Sequence, residues 1–366
     1  MYCTDENVLK SFNKFLLTVQ GGIGRNITAT AVVRALAQAH PAKDIDVIAG
    51  CPEFFLKNPH VKRVHNLTKP TYILEDCFLD KRTMLLNVEP YQHPAYIYRE
   101  EHFTSCWCDM LGVPCAGIEP EMFYTIAEME MAKDYLSRFN RRMVLFQHQG
   151  GKIPETTAKK DKLIAKAGMY KRSLPENIAQ EVTDELIKAG YAVGSVQHAN
   201  QFLPKGAEHI RFPLRAIVAL IPFVEAIITI DSFLLHGSAC FKDKTPTLAL
   251  WGGTDPRVLG YPWHKNLCRA VCATPHCHRP NSYFWDFEET GFLWDCPHND
   301  ICMNFSTEDI MSAFFAMMKE ANKDERTEPA ASSEAQTKDN TCSKTCDACA
   351  DKGNSVAEVP ANPGTN

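Results

Sequence analysis

An α/β protein of two successive sheet-and-helix units is what the sequence predicts, on three observations. Short apolar runs of strand length alternate with stretches whose apolar residues recur at helical spacing. Several of these runs close on Gly, Asp or Ser loops, and the alternation stops and restarts near residues 138–143. At 366 residues the chain exceeds the ~250–300 residues at which single cores stop growing. Two domains are therefore expected, 1–140 and 141–321, followed by a tail, 322–366.

The first unit opens on the apolar run Phe15 to Val19, a buried strand. Gly21, Gly22 and Gly24 make a tight loop after it. From Asn26 to Ala39 the residues Ile27, Ala31 and Ala35 keep helical spacing, Pro41 stops the helix, and Ile45 to Ala49 is the next strand. Strand, crossover helix and parallel strand imply a right-handed connection. A short strand follows around Val61 to Val64. The region from Tyr72 to Pro114 is richer in aromatics, His and acids, with a helix from Glu100 to Leu111. Irregular polar insertions of this kind form binding loops more often than core.

In the second unit, Met143 to Gln147 is a strand running into Gly150-Gly151. Pro175 starts a helix that Gly190 stops, and "YAVGSVQH" is the strand after it. A helix from Leu214 to Leu220 precedes a strand from Ala226 to Ile230. The closing helix begins at Ser306, its N-cap, with Asp309 three residues on. From Asn322 the chain is polar and nearly free of aromatic and large aliphatic residues, so the tail is expected to be disordered.

Composition narrows the functional classes. With 45% hydrophobic and 23% charged residues the chain reads as a soluble globular enzyme. A net charge of −5 builds in no global pull toward nucleic acid and leaves room only for a local basic patch. No apolar run reaches the ~18–20 residues of a membrane span, and "MYCTDENVLK" has no signal-peptide core. Fifteen cysteines without a secretory signal point to a reducing compartment, hence to thiols or metal ligands rather than disulfides. A cytoplasmic location is expected.

Ligands of open α/β sheets bind at the carboxyl ends of strands. "IITIDSFLLHGSACFKDKTPTLALWGGTDP", Ile227 to Pro256, places Asp231-Ser232 at one such end and Gly252-Gly253-Thr254 at another. Helix N-termini there offer free N–H groups and partial positive charge, which suits a diphosphate; the glycines allow close approach and Thr254 adds a hydroxyl. The competing plain reading is a helix N-cap at Asp231 and a simple turn at Gly-Gly-Thr. His236, just over one turn into the helix, falls near the same mouth.

These residues carry a family resemblance. "GGIGRNITATAVVRAL", "DIDVIAG" and "NPHVKRV" resemble the opening of glycosyltransferase family 9, the heptosyltransferase family. "IDSFLLHGSACFKDKTPTLALWGGTDP" is similar to that family's Asp-Thr-Gly-Leu-x-His helix followed by a strand and a Gly-Pro-Thr-Asp-Pro loop. The similarity runs, more weakly, from about Lys14 to Phe305. It implies a GT-B fold, two facing Rossmann-like domains with the disordered tail outside them. The C-terminal domain would hold the nucleotide-diphosphate sugar and the N-terminal domain the acceptor. Transfer would invert the anomeric configuration without a catalytic metal.

Carried over residue by residue, Asp231, Ser232 and His236 match donor-contact positions, and Gly252, Gly253 and Thr254 the phosphate-side loop. Arg172 stands where the family places a basic residue that would counter the diphosphate; the plain alternative is a solvated charge beside Lys171. Gln197 and His198, at the end of a strand, are placed to touch ribose or base. The first loop departs from the pattern: where the family carries its favoured general base, an Asp, this chain has Arg25. A guanidinium takes no proton at neutral pH. Arg25 would instead hold a phosphate or an acidic acceptor, with Gly22 and Gly24 keeping the backbone close. The base then comes from "NVEPYQHPAYIYREEHF": Glu89 first, because the run "MLLNV" delivers it to a strand end, then His93 and His102.

Between Asn266 and Met303 lie two local cysteine pairs, Cys272 with Cys277 and Cys296 with Cys302. Two such pairs joined by a loop are the usual encoding of a four-thiolate structural metal site, and free thiols in an aromatic loop are the alternative. Protein-modifying heptosyltransferases resembling this chain carry a four-cysteine iron site near this place, so iron competes with zinc. The tail thiols Cys342, Cys346 and Cys349 are unassigned.

The function expected is therefore an inverting glycosyltransferase that moves a sugar from a nucleotide-diphosphate sugar to a hydroxyl of a saccharide, a protein or a hydroxylated DNA base. A non-catalytic nucleotide-sugar sensor that lost its base is the alternative.

Overall fold

In the computed structural model, residues 11–79, 82–151, 172–269, 276 and 301–327 are described. Ten strands fall in two sheets. The first contains β1 (Lys14–Val19), β2 (Asp44–Ala49), β3 (Arg63–Asn66) and β4 (Thr83–Leu86), in the order β3-β2-β1-β4. The second contains β5 (Met143–Gln147), β6 (Ala192–Ser195), β7 (Glu208–His209), β8 (Ala226–Ile230), β9 (Thr247–Trp251) and β10 (Lys265–Cys268), in the order β10-β9-β8-β5-β6-β7. Every pairing between these strands is parallel. Parallel strands are covered on both faces, which is why β5, β8 and β9 are buried at every residue and read as near-continuous apolar runs.

Among the described residues, seven helices of seven residues or more connect and cover the sheets: α1 (Ile23–Ala39), α2 (Phe103–Met110), α3 (Ile126–Ser137), α4 (Glu176–Lys188), α5 (Leu214–Leu220), α6 (Phe233–Ala239) and α7 (Thr307–Thr327). Helix α1 starts at Ile23 rather than at Asn26, with Gly22 as its extended N-cap. Gly24 and Arg25 thus belong to the first helical turn and not to a loop. Strand β3 begins at Arg63, later than the apolar spacing suggests. Helix α2 begins at Phe103 because His102 takes the N-cap, its Nδ1 accepting from the Thr104 N–H. Helix α3, unread in the sequence, is set by a reciprocal capping box between Thr125 and Glu128. Helix α7 continues through Thr327 instead of ending before Asn322. No Gly or Pro interrupts it until Pro329, and helices end at or before the residue preceding a proline. The rest of the tail lies outside the described residues, as do Cys272, Cys277 and Cys296.

The described residues up to Glu325 belong to one compact unit. Its largest apolar cluster runs from Phe15, Leu17 and Val47 of the first sheet, through Ile27 and Val32 of α1, to Leu220, Phe233 and Leu234 of α5 and α6. A buried Arg215 on α5 locks this junction. It donates to both carboxylate oxygens of Glu128 (2.5 and 3.2 Å), to the carbonyls of Glu53 and Phe123, and covers the Tyr124 ring at 4.9 Å. Its guanidinium holds the Glu128 carboxyl down at about 2. Among the described residues, no helix is long and apolar enough to cross a membrane.

Candidate functional site

A cavity of about 770 Å³ opens at the carboxyl ends of β5, β6 and β8, opposite the N-terminus of α1. Its size suits a nucleotide-scale ligand. Of the donor residues expected from the sequence, it brings together Gly22, Gly24, Arg25, Arg172, Gln197, His198, Asp231, Ser232 and His236. Gly252, Gly253 and Thr254 do not line it. They are buried after β9, with the Gly252 carbonyl 3.1 Å from His276 Nδ1 and the Thr254 hydroxyl enclosed without a hydrogen-bond partner among the described residues.

The floor is the contact between α1 and α6. A Cβ added to Gly24 would lie 2.5 Å from Cδ2 and 3.0 Å from Nε2 of His236, so only glycine admits the imidazole here. His236 Nδ1 lies 2.9 Å from the Tyr261 hydroxyl and 3.4 Å from that of Thr28. Burial lowers the imidazole to about 4, against a smaller upward pull from Asp231, so it is neutral at pH 7. Ser232 caps α6 without a side-chain bond; the Leu234 N–H instead donates to Gln147 Oε1 at 3.2 Å.

Three arginines line the cavity, Arg25, Arg172 and Arg211. Arg172 lies across Gly150, where a side chain would come within 3.0 Å of its Nε, and its Nη1 donates to the Asp231 carbonyl at 3.3 Å. Its buried Nε has no partner among the described residues. Arg25 is enclosed by Trp107 and Tyr91, whose ring centres lie 5.0 and 5.5 Å from its guanidinium carbon. Its Nη1 reaches both oxygens of Glu89, at 3.0 and 2.8 Å, and Nη2 the Val88 carbonyl at 3.3 Å. Arg25 thus neutralises a carboxylate of the protein itself.

The three base candidates part company. Glu89 stands three residues after β4, caps the short turn Pro90–Gln92, and its side chain keeps 41% exposure beside Arg25. His93 has both nitrogens engaged, Nδ1 by the Ala95 N–H and Nε2 by Asp109 at 2.8 Å. His102 is a buried helix cap that burial lowers to about 3. None of the three lines the cavity itself.

Of the glutamines lining the cavity, the sequence singled out Gln197 but not Gln147, Gln149 or Gln201. Gln197 accepts from the Ser195 hydroxyl at 2.7 Å and donates to the Gln201 carbonyl, so its amide shapes the wall rather than pointing freely inward. Gln201 bonds the Gly151 carbonyl and the His198 N–H, and Gln149 the Phe202 N–H. Val196, Ile210 and Ile217 supply an apolar side. A run of amides just after strand ends was the available signal. Tyr91, half-buried beside Arg25 and pushed up to about 12 by desolvation, carried none.

Two parallel sheets meeting at a cleft, with the pocket at strand ends and helix N-termini turned toward it, define the GT-B architecture of glycosyltransferases. The chain folds like solved family 9 structures. Heptosyltransferase II of E. coli superposes with a TM-score of 0.57 at 14% identity, covering 84% of this chain and 99% of that one. A family 9 glycosyl transferase of Veillonella parvula DSM 2008 gives 0.56 at 12%, with 84% and 98% covered. The iron-containing dodecameric glycosyltransferase TibC of enterotoxigenic E. coli H10407 gives 0.59 at 14%, with 84% and 76% covered. No protein-family model and no curated protein matches the chain.

Proposed function

We propose that this protein is an inverting glycosyltransferase using a nucleotide-diphosphate sugar, its two domains being 1–140 and 141–321. The observation that carries the proposal is the cavity itself. It combines the cation of Arg172, the uncapped start of α1, the Asp231 carboxylate and an apolar side wall, which together match a diphosphate, a sugar and a base. The solved neighbours support it: TibC has been captured with ADP-D-beta-D-heptose. Arg172 and the α1 N–H groups would stabilise the departing diphosphate. Asp231 and Ser232 would fix the sugar.

Glu89 is the general base in this scheme. Arg25 occupies the position of the family's catalytic carboxylate, and its guanidinium holds the Glu89 carboxylate 2.8 Å away, so a carboxylate is restored across space. It would take the proton of the acceptor hydroxyl as the oxygen attacks the anomeric carbon opposite the diphosphate. The acceptor class is a saccharide, protein or hydroxylated DNA base. A structural iron or zinc on Cys272, Cys277, Cys296 and Cys302 completes the proposal. Cys302 packs half-buried against the core of the second sheet, and TibC is iron-containing.

A thermal-shift panel of nucleotide sugars tests the reading. A donor at 100-fold over its dissociation constant stabilises by about 2.7 kcal/mol. Nucleotide release on adding acceptor then identifies an enzyme, whereas stabilisation without release by any acceptor identifies a sensor. No stabilisation by any donor defeats both.

A further inference from the structure

A polar cluster lies on the face of the first sheet away from the cavity. Alternation along β1 and β2 sends Phe15, Leu17, Ile45 and Val47 into the main core. Leu16 and Ile48 go to the opposite face, where they meet Cys77 and, at the margin, Leu67 and Ile73. Asp46 shares that face: it stands opposite Leu16 in the parallel register, as His65 stands opposite Ile48. The helical turn Leu74–Phe78 then lays Cys77 over both.

Cys77 Sγ lies 3.6 Å from Asp46 Oδ2 and 3.7 Å from His65 Nε2. One ligand atom from each residue falls within 4.8 Å of the others, and all three residues are buried. A second observation points to a missing partner. The Asp46 side chain has no exposure, yet its Oδ1 makes no hydrogen bond among the described residues. Buried carboxylate oxygens rarely stay unpaired, because each such group costs about 1–3 kcal/mol.

We propose that Asp46, His65 and Cys77 bind one zinc ion, which pins the segment between β3 and β4 to the sheet. Metal–sulfur bonds of about 2.3 Å and metal–nitrogen or –oxygen bonds of about 2.0 Å at tetrahedral angles require S···N and S···O edges of about 3.5 Å. The observed edges are already within a few tenths of an ångström of that. A thiolate, imidazole and carboxylate set favours zinc over magnesium or calcium. Water completes the fourth position.

Lys14 is the competitor. Its ammonium sits 3.0 Å from Asp46 Oδ2 and also donates to the Asp76 carbonyl at 2.8 Å. Without the ion, Lys14 and Asp46 balance and Cys77 keeps its proton. With it, Cys77 releases one proton, the thiolate and Asp46 balance the divalent charge, and Lys14 loses its counter-ion. A cation–cation repulsion in a buried pocket is therefore built into the site.

Elemental analysis and Co²⁺ titration of the full chain decide the matter. Wild type should carry one zinc more per chain than Cys77→Ser; metal on other cysteines is common to both proteins and cancels. Lys14→Met keeps the aliphatic stem but removes the repulsion, and should tighten Co²⁺ at the thiolate band lost in Cys77→Ser by at least about tenfold. Equal metal content in wild type and Cys77→Ser overturns the proposal. Should that variant fail to fold, an unchanged Co²⁺ affinity in Lys14→Met overturns it.

Discussion

Acidification below pH 6.5 should unfold this protein well before its carboxylates titrate. Four histidines, His102, His148, His236 and His264, are buried, and burial lowers them from an ordinary 6.5 to about 3, 4, 4 and 3. The hydrogen bond from His148 Nε2 to the Phe202 carbonyl pulls upward and is outweighed by burial, and its Nδ1 has no partner among the described residues. His264 is placed likewise, with Nε2 toward the Ser238 hydroxyl and Nδ1 unpartnered among the described residues. His102 can protonate Nδ1 only by giving up its cap on α2. In each case the unfolded chain binds the proton and the folded chain does not. Stability is thus complete above pH 6.5 and falls as the pH drops toward 4, flattening near 3. At pH 5.5 each histidine contributes a loss of about 1.4 kcal/mol, so the four together remove on the order of 5 kcal/mol. That rivals the entire stability of many domains. Urea melts at pH 7.5, 6.5 and 5.5 measure it, with an expected proton uptake on unfolding of three to four at pH 5.5. A stability that stays flat over this range would refute the assignment of these rings as buried and neutral.

Other outcomes follow from single contacts. Gly24→Ala drives a methyl into His236 and should cost about 1–3 kcal/mol while closing the cavity floor, read as a lower melting temperature together with lost donor binding; an unperturbed variant would mean that α1 and α6 do not meet there. Asp231→Ala should abolish sugar transfer in a folded protein, and Arg172→Ala should mainly weaken donor affinity in calorimetric titration. Glu89→Gln still accepts from Arg25, so it should keep the fold and donor affinity yet lower turnover by about 10²–10⁴; turnover within a few-fold of wild type removes Glu89 from the chemistry. Arg215→Met strands Glu128 and several carbonyls and should destabilise by on the order of 3 kcal/mol, seen in denaturant melts.

Much of the architecture was legible in the chain because it is encoded locally. The strands β1, β5, β8 and β9 are apolar runs. Helix α4 is bounded by Pro175 and Gly190, which adopts a left-handed φ of 93°. Strand-end polarity marked Asp231, and the family resemblance marked Arg172. A helix start depends on one cap, and there local reading slipped: Gly22 and His102 moved the beginnings of α1 and α2. What only the tertiary structure decided is which distant side chains meet. Arg25 and Glu89 are 64 residues apart, Thr28 and His236 are 208 apart, and Arg215 reaches Glu53 across 162. The same holds for Asp46, His65 and Cys77, whose convergence follows from the register of β2 against β3. Periods of two and 3.6 residues state which face a side chain takes, since they arise from the backbone alone. The partner it finds on that face depends on strand order and crossover packing, and these are set by burial summed over the whole chain.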